Sequence, residues 1–534
     1  MENSNEQSVS DKATLQVSLH QLERTPAVHY FVQSRIGRSG DCARDYAAML
    51  VIIITILAVL LAGYIIKSFK KPPKFPPGPK WYPVVGCTKI VNEMSRQYGC
   101  QWKGLSNLAK QYSTQVLGIK LGLEPIVVVY GDHNVRRVFT EKVFEGRPNN
   151  FFLRLRCLGK KMGITFADGE LWKEHRQFTV KHLKNVGFGK TAMEGEIQRE
   201  LQYIIQYIDN HNNTPINPKT ILAISVMNIL WKFTAGEHIN MERLIFLLDL
   251  LKARSKAFTM AGGWLNQWPW IRFLFPNGSG YNLIRKINQQ LSDIIEEAIL
   301  KHKNESIPGN DFIYMFLNKI KENRESFTEE QLKVICLDLL IAGSQTTSNT
   351  LEFAILGVLR NKIIQEKIFK EIHTILGNKM PSWSDSNRLV YTMAYLYEIQ
   401  RYFTIVPLAG PRRVSKDVTM DDFLIPKDTT VLISVGDVHF DPEMWEAPDK
   451  FMPERFIDDK GKLTKTENIY PFGIGRRRCP GDALAKSFIF IVFVGILQKY
   501  QIVCRDDELP SDEPIVGLIS SARPYTAEFR MRNT

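Results

Sequence analysis

The sequence predicts a mainly α-helical protein with small β-sheets, preceded by one N-terminal transmembrane helix. Three observations carry that expectation. Long segments repeat apolar residues at spacings of three and four, the pattern of helices with one buried face. Two short runs are rich in strand-forming residues. The 21 residues from Tyr46 to Ile66 hold no formal charge.

In chain order, residues 1–45 are polar, rich in Ser and Gln and without a usable motif, and read either as a flexible lumenal tail or as a mispredicted start. Residues 46–66, YAAMLVIIITILAVLLAGYII, match the roughly 20 residues a helix needs to cross a bilayer. A buried soluble helix seldom stays apolar on every face for so long, and a cleaved signal peptide starts earlier and is shorter. Lys67, Lys70, Lys71, Lys74 and Lys80 follow directly, whereas Arg35, Arg38 and Arg44 are offset by Asp41 and Asp45. That bias places everything after Ile66 in the cytosol. The sequons at Asn212, Asn277 and Asn304 then read as chance matches. Residues 67–80, basic and proline-rich, predict a stiff extended spacer. Residues 81–534 show no further composition break, repeat or low-complexity tract, so one large domain is expected.

Helical periodicity is clearest in ELQYIIQYIDNH from Glu200, from Asn282 to Lys303, and from Glu329 to Arg360. The last is unusually long, and Thr328 with Gln331 forms a capping-box pattern at its start. Strand-like runs at Gln115 to Val129 and Val418 to Ile433, the latter with turn residues Asp421, Pro426 and Lys427, predict a small mixed sheet on one side.

With 44% hydrophobic and 23% charged residues, the composition excludes a disordered or fibrous chain. A formal charge of +13 favours anionic partners without choosing among phospholipid surfaces, acidic proteins and nucleic acid. Seven cysteines lie far apart, with no CxxC pair, so reduced thiols are expected.

The chemistry centres on Pro471 to Gly481, PFGIGRRRCPG, where Cys479 follows a glycine-rich bend and precedes the helical run ALAKSFIFIVFVGIL. Backbone N–H groups of the bend and helix start are expected to lower its pKa and suit it to a metal. With no neighbouring Cys or His, zinc is disfavoured. A haem iron, already held by four porphyrin nitrogens, needs one axial donor. On these residues alone, a buried structural thiol and a solvated basic patch at Arg476 to Arg478 remain equally open.

The spacing of Phe472, Gly475, Arg477, Cys479 and Gly481 resembles the FxxGxRxCxG loop of the cytochrome P-450 family, and the resemblance runs from about Lys74 to the C-terminus. It implies that family's fold and haem b with Cys479 as axial thiolate. Glu398-Ile-Gln-Arg401 and Pro453-Glu454-Arg455-Phe456 are similar to its ExxR and PERF segments, implying a buried Glu398, Arg401 and Arg455 network behind the haem. Ala342-Gly343-Ser344-Gln345-Thr346-Thr347 resembles its oxygen-binding segment: the Ala342/Gly343 pair would loosen the helix, and Thr346 would hydrogen-bond dioxygen and help deliver protons. Here Gln345 replaces the usual acid, so the relay must pass through Thr346 and water. Trp172 and Arg176 fall on the WxxxR pattern, and with Arg477 and Arg412 they match the partners of the haem propionates. A slip of one residue would put Arg413 in place of Arg412.

The resemblance implies insertion of one oxygen atom of O2 into a lipophilic substrate, terpenoid, steroid or xenobiotic, with electrons from NADPH. They would come through a flavoprotein reductase, with cytochrome b5 as a further donor. It also implies an endoplasmic-reticulum membrane protein with its catalytic domain in the cytosol and no nucleic-acid partner. Lys173, Lys181, Lys184, Arg476 and Arg478 are expected to steer an acidic redox partner. Candidate pocket segments are FFLRLRCLG after Arg147, the aromatic stretch from Phe258, Ile405 to Leu408, and Gly517 to Ile519. WPWIRFLFPNGSGY and VGDVHFDPEMWEAPDKFMPERF resemble insect members of the clan that includes juvenile-hormone (methyl farnesoate) epoxidases. Two rivals are a reductase-independent haem-thiolate isomerase or dehydratase and a non-catalytic haem lipid-binding protein.

Overall fold

The computed structural model describes residues 46–532, except residues 61, 64–69, 186–190, 212–213, 258–264, 266–267, 305–308, 323–324 and 506–508. Two compact units emerge, Met1–Lys70 and Lys71–Thr534. In the first, residues 46–60 are helical with exposed apolar side chains. Among the described residues no helix is long and apolar enough to cross a membrane. The expected span of residues 46–66 lies in part outside them, at residues 61 and 64–66.

The second unit begins earlier than the composition break suggested. The proline-rich run is packed into it: Gly118 N–H donates to Pro77 O at 2.7 Å, Leu424 N–H to Lys74 O at 2.8 Å. Phe75, 7% exposed, meets the Trp81 ring edge-on at 5.3 Å. Prolines leave carbonyls free to accept, so a run that reads as a spacer becomes an edge tied down by its neighbours.

Most of the unit is helical. The helices used below are α1 (Gly169–Asn185), α2 (Pro218–Ala235), α3 (Met241–Ala257), α4 (Tyr281–Asn304), α5 (Glu329–Arg360), α6 (Val390–Phe403) and α7 (Asp482–Lys499). The run from Glu200 lies within a helix Thr191–Asn210. Helix α5 is buried along most of its length and packs most extensively on α2, then on α7. Both partners are apolar nearly all round, as a buried helix must be. Its boundaries agree with the sequence reading, but only half of the expected cap forms. Thr328 Oγ1 accepts from Gln331 N–H at 3.2 Å, while the Gln331 amide, fully buried, accepts from Gly163 N–H at 3.0 Å instead of reaching back. Burial of the Gly163 amide leaves it no water, and Gln331 supplies its acceptor.

A mixed sheet of four strands orders as β1-β2-β6-β3, with β1 Val116–Leu121, β2 Glu124–Val129, β3 Leu408–Arg413 and β6 Thr430–Ser434. Strands β2 and β6 run parallel, and the other pairs are antiparallel. The hairpin β4 (Val418–Met420) and β5 (Phe423–Ile425) stands apart as its own two-stranded sheet. The β3/β6 register shifts between Ala409 and Arg412 at Gly410-Pro411, where proline cannot donate to the ladder.

Candidate active site

The Cys479 loop is closed by its own backbone: Cys479 N–H donates to Phe472 O at 2.8 Å, and Arg478 N–H to Gly475 O at 3.2 Å. Gly475 sits at φ +74°, and a Cβ there would come within 2.3 Å of Phe139 O, so conformation and space both demand glycine. Gly481 immediately precedes α7, and a Cβ on it would lie 3.9 Å from Cys479 Sγ. The expected lowering of the Cys479 pKa is not met by the polypeptide. Burial pushes the thiol up and Asp482 adds to it, against the Gly481 N–H, Arg176 and Arg478, which pull it down. A coordinated metal would counter that rise, because a metal ion deprotonates a coordinating thiol outright.

Beside the loop lies a nest of cations. Arg477 stacks on Trp172 of α1 at 3.6 Å from the ring centroid. The guanidiniums of Arg147, Arg176 and Arg412 act on it or on each other, and burial with this mutual repulsion holds Arg477 down to about 9 and Arg412 to about 10. Several of their donors face nothing in the protein. Trp172 Nε1, Arg412 Nε and both Arg477 Nη atoms are buried without a partner among the described residues. Buried donors and like charges are costly when unmatched. A ligand bearing two carboxylates at this place would satisfy both, so the donor set fits the propionates of a haem.

The adjacent arginines differ in their contacts. Arg413 binds Asp168 at 2.8 Å and Asp428 at 2.6 Å, whereas Arg412 keeps its unmatched nitrogen in the nest. Sequence reasoning missed Arg147. The β3 bulge frees two carbonyls, and Arg147 Nη1 donates to both, Gly410 O at 2.8 Å and Pro411 O at 2.6 Å. Only a Gly-Arg-Pro loop marks it in the sequence, too weak a sign to read alone.

The Glu398 carboxylate receives Arg401 Nε at 2.7 Å and Nη2 at 2.8 Å, Arg455 Nε at 3.2 Å and Met452 N–H at 2.8 Å. Both Glu398 and Arg401 have no exposed side-chain surface. A second missed residue, His439, joins this network to the cysteine loop. Arg401 Nη1 donates to His439 O at 2.7 Å, and His439 Nε2 accepts from Tyr470 N–H at 2.9 Å, one residue before Pro471. Because Thr404 Oγ1 gives its proton to Arg401 O, the hydrogen bond of 2.9 Å between His439 Nδ1 and Thr404 comes from the Nδ1–H tautomer. Burial and Arg401 push His439 down to about 3.

On α5, Thr346 Oγ1 donates to Ala342 O at 2.8 Å. Ala342 is exposed in mid-helix, between buried turns, and Gln345 and Thr346 are half-buried. The segment is assigned helical throughout, within α5. Gly343 packs closely, since a Cβ there would lie 2.8 Å from Leu230 of α2.

Lys181 and Lys184 are exposed on α1, while Lys173 pairs with Glu170 and Arg476 with Glu145. Of the expected pocket segments, Phe152 and Leu155 pack on Leu265, Ile271 and Ile284. Ile405 O accepts from Ser520 N–H at 2.8 Å, bringing the turns at residues 405–408 and 517–519 together. Much of the aromatic stretch, residues 258–264 and 266–267, lies outside the described residues.

The family model described as Cytochrome P450 matches residues 76–529. Probable cytochrome P450 305a1 of Drosophila melanogaster is 39% identical over 497 residues, covering 89% of this chain and 99% of that protein. Farnesoate epoxidase of Bombyx mori is 36% identical over 488 residues, covering 90% and 99%. Cytochrome P450 2U1 of Mus musculus is 32% identical over 515 residues, covering 90% and 95%.

Proposed function

Because the chain belongs to the cytochrome P450 family, whose members are monooxygenases using haem b with a cysteine thiolate as axial ligand, we propose that Cys479 is that ligand and that the substrate is a lipophile of terpenoid or steroid type. The observation that carries the assignment is the nest of buried, unmatched donors on Trp172, Arg412 and Arg477 beside the cysteine loop. With Arg147 and Arg176 these residues would hold the two propionates. When bound, the haem supplies the activation of dioxygen and its insertion into carbon.

The chain's own residues orient and protect. Gly475 lets the loop close on Phe139, and the His439 link from Arg401 to Tyr470 fixes its approach. Thr346, whose hydroxyl rests on the Ala342 carbonyl, is the group that passes a proton along α5. Gln345 orders water by hydrogen bonding and does not titrate. The similarity to a farnesoate epoxidase supports a terpenoid substrate. Electrons come from an NADPH-dependent flavoprotein reductase, with cytochrome b5 as second donor, docking on Lys181, Lys184 and Arg478. The uncharged run at residues 46–66 and the lysines after it support a single span in the endoplasmic-reticulum membrane, with the body in the cytosol.

The test is the carbon-monoxide spectrum of the reduced protein and of Cys479→Ala. The thiolate signature should vanish in the variant, and its survival would overturn the ligand assignment. Substrate oxidation that consumes NADPH with reductase supports the proposal; turnover with peroxide alone supports an isomerase in its place.

A further inference from the structure

The turn ahead of α4 holds a sequence feature that the oxygenase reading does not use. Among the sequons, Asn277 is followed by Gly278, and this is the one Asn-Gly pair in the whole sequence. The pair lies between the short helix Ile271–Leu274 and Tyr281, the first residue of α4. Both residues are exposed, so solvent bathes this part of the turn.

Backbone hydrogen bonds tie the turn down around Gly278. Ser279 N–H donates to Phe275 O at 2.9 Å, Gly280 N–H to Asn277 O at 3.0 Å and Asn282 N–H to Pro276 O at 3.2 Å. The Gly278 N–H, by contrast, has no acceptor among the described residues. Its proton is therefore open to solvent base, and glycine, without a Cβ, leaves the approach to its nitrogen clear and its φ free. The side-chain carbonyl that precedes it is polarised, because Asn282 Nδ2 donates to Asn277 Oδ1 at 2.7 Å. A donor on that oxygen stabilises the negative charge that gathers there when the carbonyl carbon is attacked.

We propose that Asn277 is a site of self-modification, at which the folded chain converts its own asparagine amide to a carboxylate with water as the co-reactant. The Gly278 nitrogen loses its proton to solvent and attacks Asn277 Cγ. A bond forms between that nitrogen and Cγ, the Cγ–Nδ2 bond breaks, and ammonia leaves with a proton taken from water. The cyclic imide then adds water. Opening at Cγ gives aspartate, and opening at the backbone carbonyl gives isoaspartate, whose main chain runs through the side-chain methylene. Nothing is oxidised or reduced.

The two products act differently on the turn. Aspartate keeps an acceptor for Asn282 Nδ2 and puts a negative charge ahead of α4, at the end where the helix dipole favours it. Isoaspartate lengthens the main chain and opens the turn that the Gly280 bond closes. Either product places a charge next to the exposed side chains of Phe273, Leu274 and Phe275. The reaction needs neither haem nor reductase, so it stands apart from the oxygenase reading.

The experiment ages the full-length, haem-loaded protein at neutral and at mildly alkaline pH. Mass spectrometry follows the tryptic peptide Phe273–Arg285, with digestion time held constant. The amide-to-acid mass increase should grow with incubation time, and faster at the higher pH, with Asn277→Asp as the standard that separates aspartate from isoaspartate. Gly278→Ala is the discriminating variant. A Cβ there would have Phe275 Cβ as its nearest neighbour at 3.9 Å, and φ is not left-handed, so alanine fits the fold and hinders only the attack. It should slow conversion by about tenfold, and Asn282→Ala by about two- to tenfold, the range of one net hydrogen bond. The carbon-monoxide spectrum reports whether each variant has folded. An Asn277 that stays an amide throughout, or that carries a glycan, would overturn the proposal. An unchanged rate in Gly278→Ala would exclude attack by the Gly278 nitrogen, and an unchanged or raised rate in Asn282→Ala would remove the polarising bond. Equal conversion at Asn304, exposed and followed by glutamate, would show that exposure alone decides and overturn the local argument.

Discussion

Replacing Glu398 by Gln tests whether burial, and not contact distance, sets the strength of the network behind the cysteine. Its carboxylate receives four donors from Arg401, Arg455 and Met452, with no exposed surface on either Glu398 or Arg401. The amide would remove one charge, turn an NH2 toward donors and leave two arginines uncompensated. Breaking a buried pair from one side costs about 3–5 kcal/mol, a large part of the roughly 5–15 kcal/mol that holds a folded domain. The comparison is Glu329→Gln. Glu329 meets Lys303 at 2.6 Å, as short as the Arg401 contact at 2.7 Å, but the two side chains are 49% and 39% exposed. Exposed pairs contribute about 0–1 kcal/mol. Urea unfolding of both variants, followed by circular dichroism and haem absorbance, gives the two losses. A Glu398→Gln loss no larger than that of Glu329→Gln would refute the reasoning.

Gly475→Ala should lose more than about 2 kcal/mol, because alanine disfavours the left-handed φ and its Cβ strikes Phe139 O; haem content per chain measures it, and full occupancy counts against the loop geometry. His439 is held to about 3 against an ordinary 6.5, so the unfolded chain binds a proton that the folded one refuses between those values. Its contribution to stability is whole above about pH 6.5 and is lost as pH falls toward 3, by about 1.4 kcal/mol per pH unit within that window. His439→Asn should flatten the stability profile by close to one proton, and an unaltered slope would refute the buried tautomer. Arg412→Gln should weaken haem retention in apomyoglobin transfer assays far more than Arg413→Gln, which should chiefly loosen the Asp168 contact; equal effects would remove the distinction. Lys181→Glu with Lys184→Glu should slow reduction by the flavoprotein at low salt and converge with wild type at high salt, and stopped-flow rates that do not change would exclude α1 from the docking face.

Much of this protein is written in local patterns. The limits of α5, the glycine-rich loop around Cys479 and the ExxR helix could be read directly, because apolar period, turn residues and same-face spacing act within one or two turns of chain. Tertiary structure decided what those patterns left open. It gave the nest to Arg412 and Asp168 to Arg413, added Arg147 through a bulge 263 residues away, and connected Arg401 to the cysteine loop through His439. It turned Gln331 from its own helix cap to Gly163 and set the Cys479 thiol rising where its sequence neighbourhood suggested the reverse. In each case the deciding quantity is desolvation. Whether a charge or an N–H keeps its water depends on every element folded around it, and no stretch of neighbouring residues contains that information.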